Sequence, residues 1–260
     1  MRALGRFGKS VGLLVGAAYL SACASMIPPS RLVEYMGQQA VTEPLAATTL
    51  PQTPIRAGLV LVSDTTAPDA APALPDEALN RLAESLQKQM NESLPSFKVE
   101  TIIPAEGVRP GGEISQFSEL GKKHGLDYLA VVVVSSTEQE YPLTVFLGWH
   151  SHSQPGLRRD NWSLIEVALV EVKSGLSLLR AEGQGWATLD RPMAPGINQW
   201  YPVIWRRLQD PNWRWWLPTY AGAPNTLRVI AMHEAAKRLV LNLQDAWIQK
   251  RQAELTPVRG

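Results

Sequence analysis

Apolar residues recur along this chain in two rhythms. IRAGLVLVS (55–63), FKVETII (97–103), LDYLAVVVVSS (126–136), WSLIEVALVEV (162–172) and LSLLRAEGQGWATL (176–189) are short runs rich in β-branched residues or alternating in polarity. Each run predicts a strand. Between them, Leu79, Leu82, Leu86 and Met90 return every three or four residues, as do Ile114, Phe117 and Leu120. That spacing predicts helices over 75–94 and 113–124. Pro75 and Asp76 suit the start of the first, and Gly125 suits the end of the second. A last helix is expected over 225–250, with Asn225 as its N-cap.

The four consecutive valines, Val131 to Val134, imply a central strand covered on both faces. Lys173-Ser174-Gly175 reads as the turn of a hairpin. The predicted order is β-α-β-α-β-β-β-α, an α/β fold with a single mixed sheet of about five strands. The first three strands should be mainly parallel, and the hairpin adds antiparallel ones.

The amino-terminal region does not follow either rhythm. Arg2, Arg6 and Lys9 precede the apolar run Val11–Leu20, whose ten residues are too few to cross a bilayer core of about 30 Å. Residues 1–22 therefore read as a signal peptide. Leu20-Ser21-Ala22-Cys23 resembles the lipobox of bacterial lipoproteins, a resemblance that implies acylation of Cys23, cleavage before it and a lipid anchor. Ala24, in place of Asp, implies the outer membrane by the same resemblance. Cys23 is the single cysteine, so an intramolecular disulfide, a CxxC site and a cysteine zinc cluster are excluded.

Residues 23–54 read as a Pro-rich tether, interrupted at Pro28, Pro29, Pro44, Pro51 and Pro54. A free chain of this length spans roughly 30 Å on average. Arg31–Met36 (RLVEYM) is too apolar for a free linker, and is expected as a helical turn or as a segment docked on the domain. The α/β domain is expected over 55–252, with a tail at 253–260. Formal net charge is +1, falling to about −2 without the signal's three basic residues, so there is no basic field to suit nucleic acid.

Candidate chemistry is sparse. In LGWHSHSQ (147–154), His150 and His152 would point the same way on an extended segment and share a metal, with Asp160 or Glu138 as third ligand. The alternative is a polar hairpin tip, and no metal or cofactor is expected. HEAAK at 233–237 lacks the second histidine of a zincin helix. No catalytic constellation emerges, and the chain is read as a non-enzyme.

The segment 190–224 is a long Pro-rich connection dense in tryptophan. Its candidate binding residues are Trp200, Trp205, Arg206, Trp213, Arg214, Trp215 and Trp216. Three roles fit: a satellite core, a protein-binding patch of hot-spot residue types, or a surface that touches the lipid interface or stacks on the sugar rings of peptidoglycan or lipopolysaccharide. Its prolines argue against regular structure throughout.

GLVLVS (58–63), the helix at 75–94, ELGKKHGLDYLAVVVV (119–134) and the hairpin VALVEVKSGLSLLRAEG (167–183) together resemble the amino-terminal domain of TolB, which recurs in the penicillin-binding-protein activator LpoB. SRLVEYMG (30–37) and KHGLDYLAVVVVSS also resemble rhombotarget-type lipoproteins. The resemblance covers about residues 55–250. It implies a non-catalytic module that binds an envelope protein or peptidoglycan. A subunit of an envelope channel or secretion complex is one alternative, and a hydrolase using the His150/His152 loop is another.

Overall fold

The computed structural model describes residues 27–38, 48–52, 54–146, 153–193, 199–202 and 223–255. The elements are α1 (Leu32–Met36), β1 (Ile55–Asp64), α2 (Asp76–Ser93), β2 (Phe97–Ile103), α3 (Ser115–Lys123), β3 (Tyr128–Phe146), β4 (Ser153–Glu171), β5 (Ser177–Pro192), β6 (Tyr201–Pro202) and α4 (Ala223–Leu255). One sheet carries the strands in the order β2-β1-β3-β4-β5-β6. Strand β1 pairs in parallel with β2 and β3, and β3, β4 and β5 form an antiparallel meander. The expected α/β architecture with a single mixed sheet is the observed one.

Helices lie on both faces. Ala130, Val132 and Val134 pack in one core with α2 and α4, while Leu129, Val131 and Val133 pack in a second with α1 and α3. The valine run thus serves two cores at once, as strand alternation requires. Strand β2 departs from simple alternation. Its register with β1 slips between Ala57 and Gly58, leaving Glu100 unmatched. Phe97 and Val99 therefore share a core with Ile102, and Ile103 turns to the other.

Helix α3 ends as its sequence predicts. Gly125 sits at φ 64°, Leu126 N–H donates to the Gly121 carbonyl at 3.0 Å, and Gly125 N–H donates to Lys122 at 3.1 Å. This is a Schellman cap, which needs a residue tolerant of the left-handed region.

Several boundaries are corrected. Strands β3 and β4 are each 19 residues long, and their pairing continues to Phe146 opposite Ser153. Residues 137–146 and 153–161 are too polar to be read as strand from periodicity alone. Helix α4 begins at Ala223, so Asn225 lies inside it and does not cap it; its side-chain oxygen accepts from Arg228 at 3.3 Å. The same helix runs to Leu255, past the expected start of the tail. Within 190–224, residues 190–192 belong to β5, and Tyr201–Pro202 pairs with Leu189 and Asp190.

Helix α4 crosses β5 at Gly183 and Gly185. A Cβ on Gly183 would lie 2.1 Å from the Ala235 carbonyl oxygen, and one on Gly185 2.2 Å from that of Ala231. The glycines of GQG therefore serve helix-to-strand contact.

Candidate functional site

The most elaborate polar arrangement holds the amino-terminal segment against the sheet. Pro28, Leu32, Tyr35 and Met36 are buried, the last three in the α1/α3 core. Glu166, in the middle of β4, is 4% exposed and projects into this core. Its carboxylate accepts from the Ser30 hydroxyl at 2.5 Å, from Arg31 N–H at 2.7 Å and from Leu32 N–H at 3.2 Å. A five-residue helix cannot supply partners for its own first amides. Glu166 supplies them from the sheet, with a charge that suits a helix start.

Asp64, the last residue of β1, holds the other side. Its carboxylate accepts from Arg31 Nε at 2.5 Å, from the Tyr35 hydroxyl at 3.0 Å, and from the Thr66 amide and hydroxyl at 3.1 and 2.7 Å. The Asp64 side chain has no solvent exposure, and that of Arg31 has 16%. Two backbone anchors complete the dock: Gly111 N–H donates to the Glu34 carbonyl at 2.7 Å, and Gln116 Nε2 donates to that of Tyr35 at 2.6 Å.

The two buried acids titrate in opposite directions. Burial pushes the Glu166 carboxyl above the usual carboxylate range, and the hydrogen bonds from Ser30, Arg31 and Leu32 offset only part of that. Burial pushes Asp64 up as well, but donors from Thr66, Arg31 and Tyr35 outweigh it and hold it below its ordinary value. Tyr35, buried and donating to Asp64, is pushed up to about 12.

Downstream, a second part of the predicted tether is docked. Leu50 is buried in the α2/α4 core. Its N–H donates to Glu254 at 2.6 Å, its carbonyl accepts from Arg251 at 3.1 Å, and Pro51 O also accepts from Arg251. The amino-terminal segment therefore touches both faces of the sheet: α1 lies on one, and residues 48–51 meet α4 on the other.

The far ends of β3, β4 and β5 carry a second polar cluster. Arg158 makes a two-pronged pair with Asp190 at 2.7 and 2.8 Å. Asp160 accepts from Tyr141 at 2.8 Å and Thr188 at 2.6 Å. On the opposite face, Glu138 meets Arg228 at 2.9 Å and Arg159 at 3.5 Å. Glu138 and Asp160, the third ligands offered for a histidine metal site, thus point to opposite sides and are already engaged. His150 and His152 lie outside the described residues. Among the described residues, no group of three or more His, Cys, Asp and Glu is placed to hold a metal ion.

Of the seven tryptophan-region candidates, Trp200 lies within the description. It is 7% exposed and packs with Ala187, Leu189, Leu227 and Ala231. The guanidinium groups of Arg159 and Arg191 lie 5.4 and 5.1 Å from its ring centroid. Trp200 is core, with little surface left for a partner. Trp205, Arg206, Trp213, Arg214, Trp215 and Trp216 lie outside the described residues, as does Cys23.

Sequence reading missed Glu166 and Asp64 as binding residues, although one signal was available. Glu166 shares strand parity with Leu164, Ala168 and Val170, so a charge stands on a core-facing row. Sequence reading also missed Trp186. It stands directly opposite Trp162 across β4 and β5, is 57% exposed, and has Arg238 stacked 5.0 Å from its ring centroid.

No protein-family model matches the chain, and no curated protein matches it. Some solved structures are similar to the chain. A neuraminyllactose-binding hemagglutinin homolog from Helicobacter pylori is 10% identical, covering 80% of this chain and 97% of its own, with a TM-score of 0.36. The PelC dodecamer from Paraburkholderia phytofirmans is 12% identical, covering 76% and 93%, at 0.29. A protein described as a lipoprotein, from Caulobacter crescentus, is 13% identical, covering 77% and 93%, at 0.28.

Proposed function

We propose that this chain is a lipid-anchored envelope lipoprotein, held through Cys23 at the periplasmic face of the outer membrane, and that it acts as a non-catalytic binding or assembly module. One observation carries the proposal: the segment that follows the Leu20-Ser21-Ala22-Cys23 motif is built into the fold. Ser30, Arg31, Leu32 and Tyr35 are gripped by Glu166 and Asp64, two buried acids from different strands. Such a dock fixes the domain to its anchor, which suits a part that must be presented in one orientation at a membrane.

The resemblance of residues 55–250 to the TolB amino-terminal group favours the same class, since members of that group mostly bind proteins or help assemble envelope machines. In this reading, the partner is an envelope protein or peptidoglycan. Among the described residues, no helix is long and apolar enough to cross a membrane.

Fractionation of cells expressing the chain or its Cys23→Ala variant tests the anchor. The chain is expected in the membrane fraction, with globomycin causing its unprocessed form to accumulate. The variant is expected in the soluble fraction. An unchanged distribution would contradict the anchor. Photocrosslinking from positions around Trp186 and Trp213 then tests for a macromolecular partner.

A further inference from the structure

We propose that the side of the domain formed by Trp186 of β5 and Arg238 of α4 rests on the headgroup layer of the membrane that holds the Cys23 lipid; this rests on the lipid-anchor reading above. The first support is chain length. Cys23 lies seven residues before Ser30, whose hydroxyl is fixed on Glu166. Fully extended, seven residues span at most about 25 Å. Pro28 is buried, so the free leash is shorter still.

The second support is direction. Ser30 meets β4, while Arg31 and Tyr35 meet Asp64 on β1, and the sheet order is β1-β3-β4-β5. The segment therefore runs from β4 toward β1 as residue number rises, and its upstream end points toward β5. Ile27, the first described residue, is 37% exposed.

The third support is what lies on that side. Glu166 stands opposite Glu182, and Trp162 opposite Trp186, four residues further along each strand. At about 3.3 Å per residue, the tryptophan pair is roughly 13 Å from the docking point, within reach of the anchor. Trp162 shares the face of Glu166, and Trp186 is the more exposed of the pair. Tryptophan favours the headgroup layer because its ring is apolar and its N–H is polar. Arg238, stacked on that ring and paired at 3.3 Å with the equally exposed Glu234, adds a half-exposed cation that lipid phosphates can also reach. A short leash, its direction and an aromatic-cationic edge thus converge on one side of the domain.

The test uses the full lipidated chain in vesicles of phosphatidylethanolamine and phosphatidylglycerol containing brominated phosphatidylcholine. Because Cys23 is acylated, a Glu182→Cys substitution gives a unique thiol for a fluorophore on the same face of β5 as Trp186, four residues along the strand. Lys88→Cys gives a control on exposed α2, on the other face. Flotation with the vesicles, with bromine quenching at 182 at least about twofold that at 88, is the expected result. Adding Trp186→Ser to the 182-labelled chain should lower that quenching without loss of flotation. Flotation with equal quenching at both positions would overturn the placement while leaving the anchor intact. Absence of flotation would overturn the anchor, and the placement with it.

Discussion

Arg31 donates to Asp64 across 2.5 Å, from a residue just before a five-residue helix to a carboxylate with no solvent exposure at the end of β1. This contact turns an expected tether into part of the fold. Removing Arg31 leaves the buried Asp64 carboxylate with only the neutral donors of Tyr35 and Thr66, and removing Asp64 leaves those donors and Arg31 short of their acceptor; either loss costs up to about 3–5 kcal/mol. Arg31→Ala or Asp64→Ala should therefore lower the urea midpoint markedly in a Cys23→Ser chain lacking the signal segment. Joint replacement of both by apolar residues should recover most of the loss. A midpoint unchanged in both single variants would contradict the dock.

Glu166 makes stability depend on pH in a stated direction. Its folded carboxyl titrates above the ordinary value of 4.5, so over the interval between them the native state holds more protons than the unfolded state. Stability from this group therefore falls as pH rises through that interval. Asp64 works in the opposite sense, below 3.8, where its contribution is lost as pH falls through its lowered folded value. Above about pH 4.5 the Glu166 slope should dominate, and Glu166→Gln should flatten it. Urea midpoints of both chains, compared at mildly acidic and mildly alkaline pH, provide the check.

Gly183→Ala and Gly185→Ala should each push α4 away from β5, because the added Cβ would meet helix backbone at 2.1 and 2.2 Å. Overpacking of this kind costs about 1–3 kcal/mol, and backbone cannot rotate away as a side chain can. Thermal unfolding should show a lower Tm for both variants, with the double variant lower again.

Trp200→Ala should cost about 3–5 kcal/mol, as expected for a buried aromatic residue. Trp200→Phe should cost less, because it keeps a ring beneath Arg159 and Arg191. Both variants should retain the partner crosslinks of the parent chain wherever they remain folded. Lost crosslinking in a folded Trp200→Phe chain would return this residue to the binding surface.

The regular frame was legible because its residues repeat a local physical pattern. Leu82, Leu86 and Met90 define the buried face of α2, and Val131 to Val134 announce burial on both sides. The outer halves of β3 and β4 were not legible, because Glu138, Glu140, Arg158 and Arg159 are polar on both faces. They find partners only across strands or in α4, as Arg228 does for Glu138. The dock was half legible. RLVEYM was too apolar for a free linker, but its partner Glu166 lies 135 residues from Arg31. Local periodicity carries no record of so distant a pairing. Trp200 shows the same limit: its aromatic type fits core and binding surface equally, and the burial decides.

With the proposed lipid on Cys23, the docked segment would keep the domain close to the membrane. Neutron reflectometry of the full lipidated chain on a supported bilayer measures that separation. Protein density should begin against the headgroups, and Asp64→Ala with Glu166→Ala should open a solvent layer beneath it. A layer of roughly 30 Å under the unaltered chain, the span of a free tether of this length, would contradict the account.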